Sequence, residues 1–154
     1  MSYLASTPIA PVASGQRFYT IMSNPAGSGR NVFLYNRIFG NNNAPNDEVI
    51  EYRAHVAPTA TLTGAPAPVT ASSLIGGGSP SQTRVTFQVA TDGEVLMGGT
   101  EATGEQLPNG MPYRRPLTVL IPPGVRLGFS LRGAGGTNFA ASLSVIFEWF
   151  EEPI

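Results

Sequence analysis

Few residues in this chain are equipped for chemistry, and they are widely spaced. His55 is the sole histidine. It falls in a stretch, Val49–Val56, where Ile50, Tyr52, Ala54 and Val56 alternate with Glu51, Arg53 and His55. An imidazole acts as base or ligand only with a partner in reach. On one face of a strand Glu51 lies about 13 Å from His55, beyond direct contact. The plain reading is an exposed strand histidine. No Ser-His-Asp set can be assembled from it, and cysteine is absent, which excludes disulfides, thiol nucleophiles and thiolate metal sites. Acidic pairs occur at Asp47-Glu48 and Glu151-Glu152. Adjacent carboxylates of this kind form solvated edges more often than the facing pair a glycosidase needs.

Two further stretches imitate binding motifs. Asn24-Pro25-Ala26-Gly27-Ser28-Gly29-Arg30 has the glycines of a phosphate loop but lacks the Gly-Lys-Ser/Thr ending and a following helix. A turn between strands accounts for it better. Asn41-Asn42-Asn43 and Asn46-Asp47-Glu48 supply oxygens without the spaced acids of a calcium loop, so they read as a polar turn. Tyr113-Arg114-Arg115 is the one local basic spot. It is too small for a nucleic-acid patch; contact with an acidic neighbouring subunit and a solvated loop are the alternatives. The expected inventory is therefore no catalytic residue, no metal ligand and no cofactor.

Composition points the same way. Only 12% of the 154 residues are charged, against roughly 25% in an ordinary soluble domain. All nine basic residues are arginines, and the net charge is −1. A GC-rich genome explains missing lysine, and weakly hydrated guanidinium groups also suit interfaces. Without a basic excess, direct nucleic-acid binding is not expected. No apolar run reaches 18 residues, so no membrane span is expected, and residues 1–16 lack the pattern of a secretory signal.

The elements that would hold these residues are strands. Glycine and proline together interrupt nearly every stretch that could become a helix. Strands are expected at Phe18–Met22, Asn31–Phe39, Val49–Val56, Arg84–Ala90, Glu94–Met97 after an Asp92-Gly93 turn, Leu117–Ile121, Val125–Arg132, and from Phe139 to the C-terminus. In Asn31–Phe39, Val32, Leu34 and Ile38 fall on one side and Phe33, Tyr35 and Phe39 on the other, a strand covered on both faces. The last strand is apolar at every odd position from Phe139 to Trp149; a helical reading of the same residues is weaker. Pro122-Pro123-Gly124 is a turn signature. Long loops are expected at Asn24–Arg30, Gly40–Asp47, Pro58–Pro80 (with a strand near Thr61 or Val69) and Gly98–Pro116. The fold class is all-β: a two-sheet antiparallel sandwich of jelly-roll type with about eight strands. Residues 17–154 form its single domain, and residues 1–16 an extended N-terminal arm whose Tyr3, Leu4, Ile9 and Val12 dock on a partner.

The Asn24–Gly29 turn between two strands, the Ile121-Pro122-Pro123-Gly124-Val125-Arg126-Leu127 turn, and the ending Phe147-Glu148-Trp149-Phe150-Glu151-Glu152-Pro153 resemble, in that order, features of small bacteriophage virion proteins. The resemblance implies a jelly-roll-like structural protein, and among these the capsid decoration or cement proteins, usually trimeric on a capsid lattice. It implies the major capsid protein and further copies of the chain as partners, and the capsid exterior as location. It transfers no site residue. With Tyr3, Leu4, Ile9, Val12, Tyr113, Arg114 and Arg115 as partner-binding candidates, the expected function is non-enzymatic binding and stabilisation of a capsid lattice. A carbohydrate- or receptor-binding module of a phage tail or fibre is the alternative.

Overall fold

In a computed structural model that describes residues 1–42, 50–56, 67–74, 78–91, 100–101, 105–107, 113–133 and 140–154, every regular element is a strand. In chain order these are β1 (Ser2–Ser6), β2 (Ala10–Ala13), β3 (Gln16–Ser23), β4 (Arg30–Asn42), β5 (Ile50–Val56), β6 (Ala67–Val69), β7 (Ala71–Ser73), β8 (Arg84–Thr91), β9 (Thr100–Glu101), β10 (Glu105–Leu107), β11 (Tyr113–Ile121), β12 (Arg126–Gly133) and β13 (Ala140–Pro153). Sheet A runs β11-β4-β13-β1-β7, with β2 also on β13; sheet B runs β10-β5-β12-β3-β8-β6, with β9 on β5. The two antiparallel sheets form a sandwich. The expected Glu94–Met97 hairpin, and the alternative strand near Thr61, lie outside the described residues.

The period-two pattern at the C-terminus is the spine of sheet A. Leu143, Val145, Phe147 and Trp149 of β13 are all fully buried. They meet Phe18, Met22, Tyr52, Leu127, Phe129 and Leu131 from sheet B in one continuous core. Phe39 and Phe147 reach across to Tyr52 and Phe129, with ring centroids 4.7 and 5.7 Å apart. At roughly 1.5–3 kcal/mol per fully buried large apolar side chain, this interior is the main source of stability.

Residues 1–16 are not a free arm. β1 pairs with Ile146–Phe150 and β2 with Ala140–Leu143, both along the same edge of β13. The reason is backbone demand: a 14-residue strand leaves a row of amide and carbonyl groups that must find partners. Pro8 has no N–H and breaks the added strand in two. Thr7 bridges the break, its N–H donating to the Val145 carbonyl and its Oγ1 accepting from the Val145 N–H, each at 2.9 Å.

β4 departs from simple alternation. Its register against β13 runs Glu148↔Asn36 and then Trp149↔Leu34, which leaves Tyr35 as an extra residue. This β-bulge reverses the phase. Val32 and Leu34 face the core before it, Arg37 and Phe39 after it, all four buried. The expected grouping of Ile38 with Val32 and Leu34, and of Phe39 with Phe33 and Tyr35, is therefore corrected. Ile38 turns outward and Phe39 inward. Arg37, 2% exposed, places its guanidinium 5.1 Å from the centroid of the Phe129 ring.

The Asn24–Gly29 turn, the turn over Ile121–Leu127 and the C-terminal end of β13 meet at one end of the sandwich. Asn24 donates from Nδ2 to the carbonyls of Arg30 (2.8 Å) and Ile121 (2.9 Å). Its backbone exchanges bonds with Val125 and Gly124, and the Ile154 N–H donates to the Gly29 carbonyl. The Val125 N–H closes the second turn on the Pro122 carbonyl at 3.1 Å, with Gly124 at φ +83°. A Cβ on Gly124 would meet only the Ala26 Cβ, at 3.8 Å. Gly124→Ala is therefore expected to cost backbone strain alone, about 1–2 kcal/mol. A thermal melt should show a fall of roughly 2–8 °C.

Candidate contact surface and buried ionisable groups

The outer face of sheet A is built by β11, β4, β13 and β1. Register places Leu120, Phe33 and Phe150 in one cross-strand row and Ile38 beside Ile146 in another. Leu120 is 51% exposed. Phe33 and Phe150 stack at 4.7 Å and 11°, with Tyr35 tilted against Phe150 at 6.2 Å. Because of the bulge, Tyr35 and Asn36 both turn to this side. Asn36 is 5% exposed; its Nδ2 donates to Glu148 Oε2 at 2.8 Å, while its Oδ1 is buried without a hydrogen-bond donor. Leu4 sits opposite Glu148 on β1. A mostly apolar sheet face of this kind is what a contact surface presents.

The outer face of sheet B is ionic. β5 presents Glu51, Arg53 and His55; β12 sets Arg132 opposite Glu51 and Ser130 opposite Arg53; β3 adds Arg17. Glu51 accepts from Arg132 Nη2 (3.2 Å) and forms an ion pair with Arg53 Nε, with Arg17 Nη2 at 3.9 Å. Burial pushes the Glu51 carboxyl up, but the hydrogen bonds and charges of Arg132 and Arg53 outweigh it and hold it below the usual glutamate value. Ser130, fully buried, accepts from Arg17 Nη1 at 2.9 Å, and His55 Nε2 lies 3.4 Å from the same oxygen. This is not a nucleophile and base in waiting. The Ser130 oxygen is sealed from solvent, and the carboxylate on the strand is committed to arginines. His55 is half-buried, not exposed as the plain reading had it. Sequence alone showed Glu51, Arg53 and His55 on one face; Arg17, Ser130 and Arg132 carried no local signal.

Glu151 is the largest departure from the sequence reading. Glu152 is exposed as expected, but Glu151 is 2% exposed and points into the end of the sandwich. Its Oε1 accepts from Ser81 Oγ, from Thr83 Oγ1 at 2.9 Å and from Trp149 Nε1 at 3.2 Å. Its Oε2 pairs with Arg30 Nη1 at 3.4 Å. The signal was present in the sequence: Glu151 continues the inward odd positions of β13.

Of the partner-binding candidates, Tyr3 and Val12 are buried in the chain's own core, so their assignment to a partner is corrected. Their rings and methyls fill the space that β13 leaves beside it. Leu4 lies on the outer face of sheet A, and Ile9, outside the strands, is 63% exposed. Tyr113, Arg114 and Arg115 belong to a strand, not a loop: β11 pairs them with Phe39, Ile38 and Arg37 at the edge of sheet A. Among the described residues no group of three or more His, Cys, Asp or Glu could hold a metal ion. Likewise no helix is long and apolar enough to cross a membrane.

Compared with known proteins, the chain matches no family model, no curated protein and no solved structure.

Proposed function

We propose that this chain is a non-enzymatic structural protein of a bacteriophage virion, an oligomeric decoration or cement protein that binds the major capsid protein on the capsid exterior. The observation that carries the reading is the outer face of sheet A, and its occupant is a second copy of the chain. The nine residues of β11, thirteen of β4, fourteen of β13 and the shorter β1 and β2 together span roughly 700 Å² from standard strand spacings, close to one partner's share of a stable interface. A stable interface needs about 800 Å² from each partner. A twofold axis lays the same apolar rows of two copies against each other. The interleaving of distant strands, β4 with β13 and β3 with β12, supports the jelly-roll type. The three segments of the resemblance, joined at one end of the fold, support the virion assignment.

A sugar-binding role gains less support. Trp149 is fully buried, and Phe33 and Phe150 each spend one ring face on the other.

Two measurements test the proposal separately. Light scattering on the purified chain is expected to give an oligomer, and Ile38→Asp, with an unchanged circular dichroism spectrum, a monomer. A wild type that stays monomeric at every concentration, or an oligomer indifferent to Ile38→Asp, removes the contact. Mass spectrometry of density-gradient-purified phage particles from cells making the chain is expected to find it in the particles. Its absence from them removes the virion assignment whatever the oligomeric state.

A further inference from the structure

We infer that residues 78–83 form a strap across the end of the sandwich, latched by the Glu151 carboxylate and released by acid. The strap runs from the sheet A side, where β7 lies, into β8 of sheet B. Beneath it lie Tyr3 and Trp149, both fully buried and stacked at 5.9 Å.

Its side-chain anchors are few. The Tyr3 hydroxyl donates to the Ser79 carbonyl at 2.9 Å, and the Ser81 and Thr83 hydroxyls both donate to Glu151 Oε1. Ser81 Oγ in turn accepts from the Thr83 N–H at 3.0 Å, which fixes the curvature of the strap. Trp149 Nε1 is the third donor to the same oxygen. Three donors converging on one oxygen suit an anion, since charge-assisted bonds are about twice as strong as neutral ones. A protonated carboxyl is a weaker acceptor, and a hydroxyl that turns to receive its proton no longer donates to it, so charge-assisted bonds give way to neutral ones of about half the strength. Protonation thus loosens both hydroxyl anchors at once and leaves the strap on Tyr3.

The direction of the pH response follows. Burial pushes the Glu151 carboxyl up, but the bonds from Ser81, Trp149 and Thr83 and the charge of Arg30 outweigh it. Its folded-state value therefore lies below the ordinary 4.5. A carboxyl lowered in the folded state contributes stability that is fully present above its unfolded value and is lost as pH falls through the folded one. The latch is closed at neutral pH and opens only below 4.5. The charged groups facing Glu151 are Arg30 from β4, at 3.4 Å, and the Met1 amino group beside β1, which donates to the Glu151 carbonyl at 3.1 Å. The strap contributes only hydroxyls. Glu151 is the carboxylate in this group of contacts.

Trp149 is the only tryptophan, and it lies under the strap, so its fluorescence reads the latch directly. The test is acrylamide quenching of Trp149 emission, followed from neutral pH down through 4.5, with far-UV circular dichroism in parallel. The wild type is expected to show a severalfold rise in quenching and a red shift of emission while the strand signal is still intact. Glu151→Gln is expected to be highly quenchable at every pH with a flat profile. Glu51→Gln, which alters the carboxylate bound by Arg132 on the outer face of sheet B, is expected to keep the wild-type profile. The Ser81→Ala/Thr83→Ala double variant retains the carboxylate but removes both anchors, and is expected to raise quenching at neutral pH. It also serves as the test should Glu151→Gln not fold. Quenching that stays flat until the strand signal collapses, a pH-dependent Glu151→Gln, or a double variant as protected as wild type overturns the inference.

Discussion

Insertion of one alanine between Arg37 and Ile38 is expected to lower the melting temperature by roughly 6–20 °C or to prevent folding, whereas deletion of Tyr35 costs only about 1 kcal/mol. The contrast isolates backbone phase from side-chain contact. Tyr35 is the unpaired residue of the bulge in β4, and its half-buried ring touches only the outer face, against Phe150. Its removal closes the bulge and leaves Asn36 outward and Arg37 and Phe39 inward, whereas a residue inserted after Arg37 sends every residue that follows to the other side. Phe39 then leaves its place against Tyr52 and Phe129, a loss on the scale of about 3–5 kcal/mol for a large buried aromatic. Thermal melts of both variants check this. Equal stabilities would show that β4 holds its phase by other means.

Asn24→Ala is expected to destabilise the fold by roughly 2–4 kcal/mol. One buried amide nitrogen satisfies the carbonyls of Arg30 and Ile121, which come from opposite turns. Without it both carbonyls remain enclosed with a missing donor, and the junction of the two turns with the C-terminal segment loses its side-chain pin. The Asn24→Asp variant sharpens the point. It has nearly the same shape but brings acceptors to acceptors, so at neutral pH it should be less stable than Asn24→Ala, with partial recovery in acid as the new carboxyl gains a proton. Urea titrations read at constant m-value report both effects. An Asn24→Asp variant as stable as wild type would mean that the donor is not needed.

Much of the architecture was legible because strand alternation is a local property. Leu127, Phe129 and Leu131, Tyr52 and Ala54, and the odd residues of β13 face inward as their spacing indicates. The turn chemistry was also local: Gly124 adopts the positive φ that its place after two prolines requires. Reading failed where an inserted residue changed the phase, at Tyr35, since a bulge leaves no mark in a two-residue pattern. It failed at Glu151 for a different reason. The inward periodicity extended to that position, but an acidic pair near a terminus was given the solvated reading that such pairs ordinarily deserve.

By itself, the order of residues determined that this chain makes strands, where most of them turn, and which side chains seek the interior, because each follows from steric and solvation preferences within a few residues. Only the tertiary structure decided which strands lie side by side. Backbone amides pair with any strand edge, so nothing in Tyr3 or Val12 distinguished a neighbour's sheet from the chain's own β13. Nor could Glu151 and Ser81, seventy residues apart, announce that they would share one proton-sensitive bond.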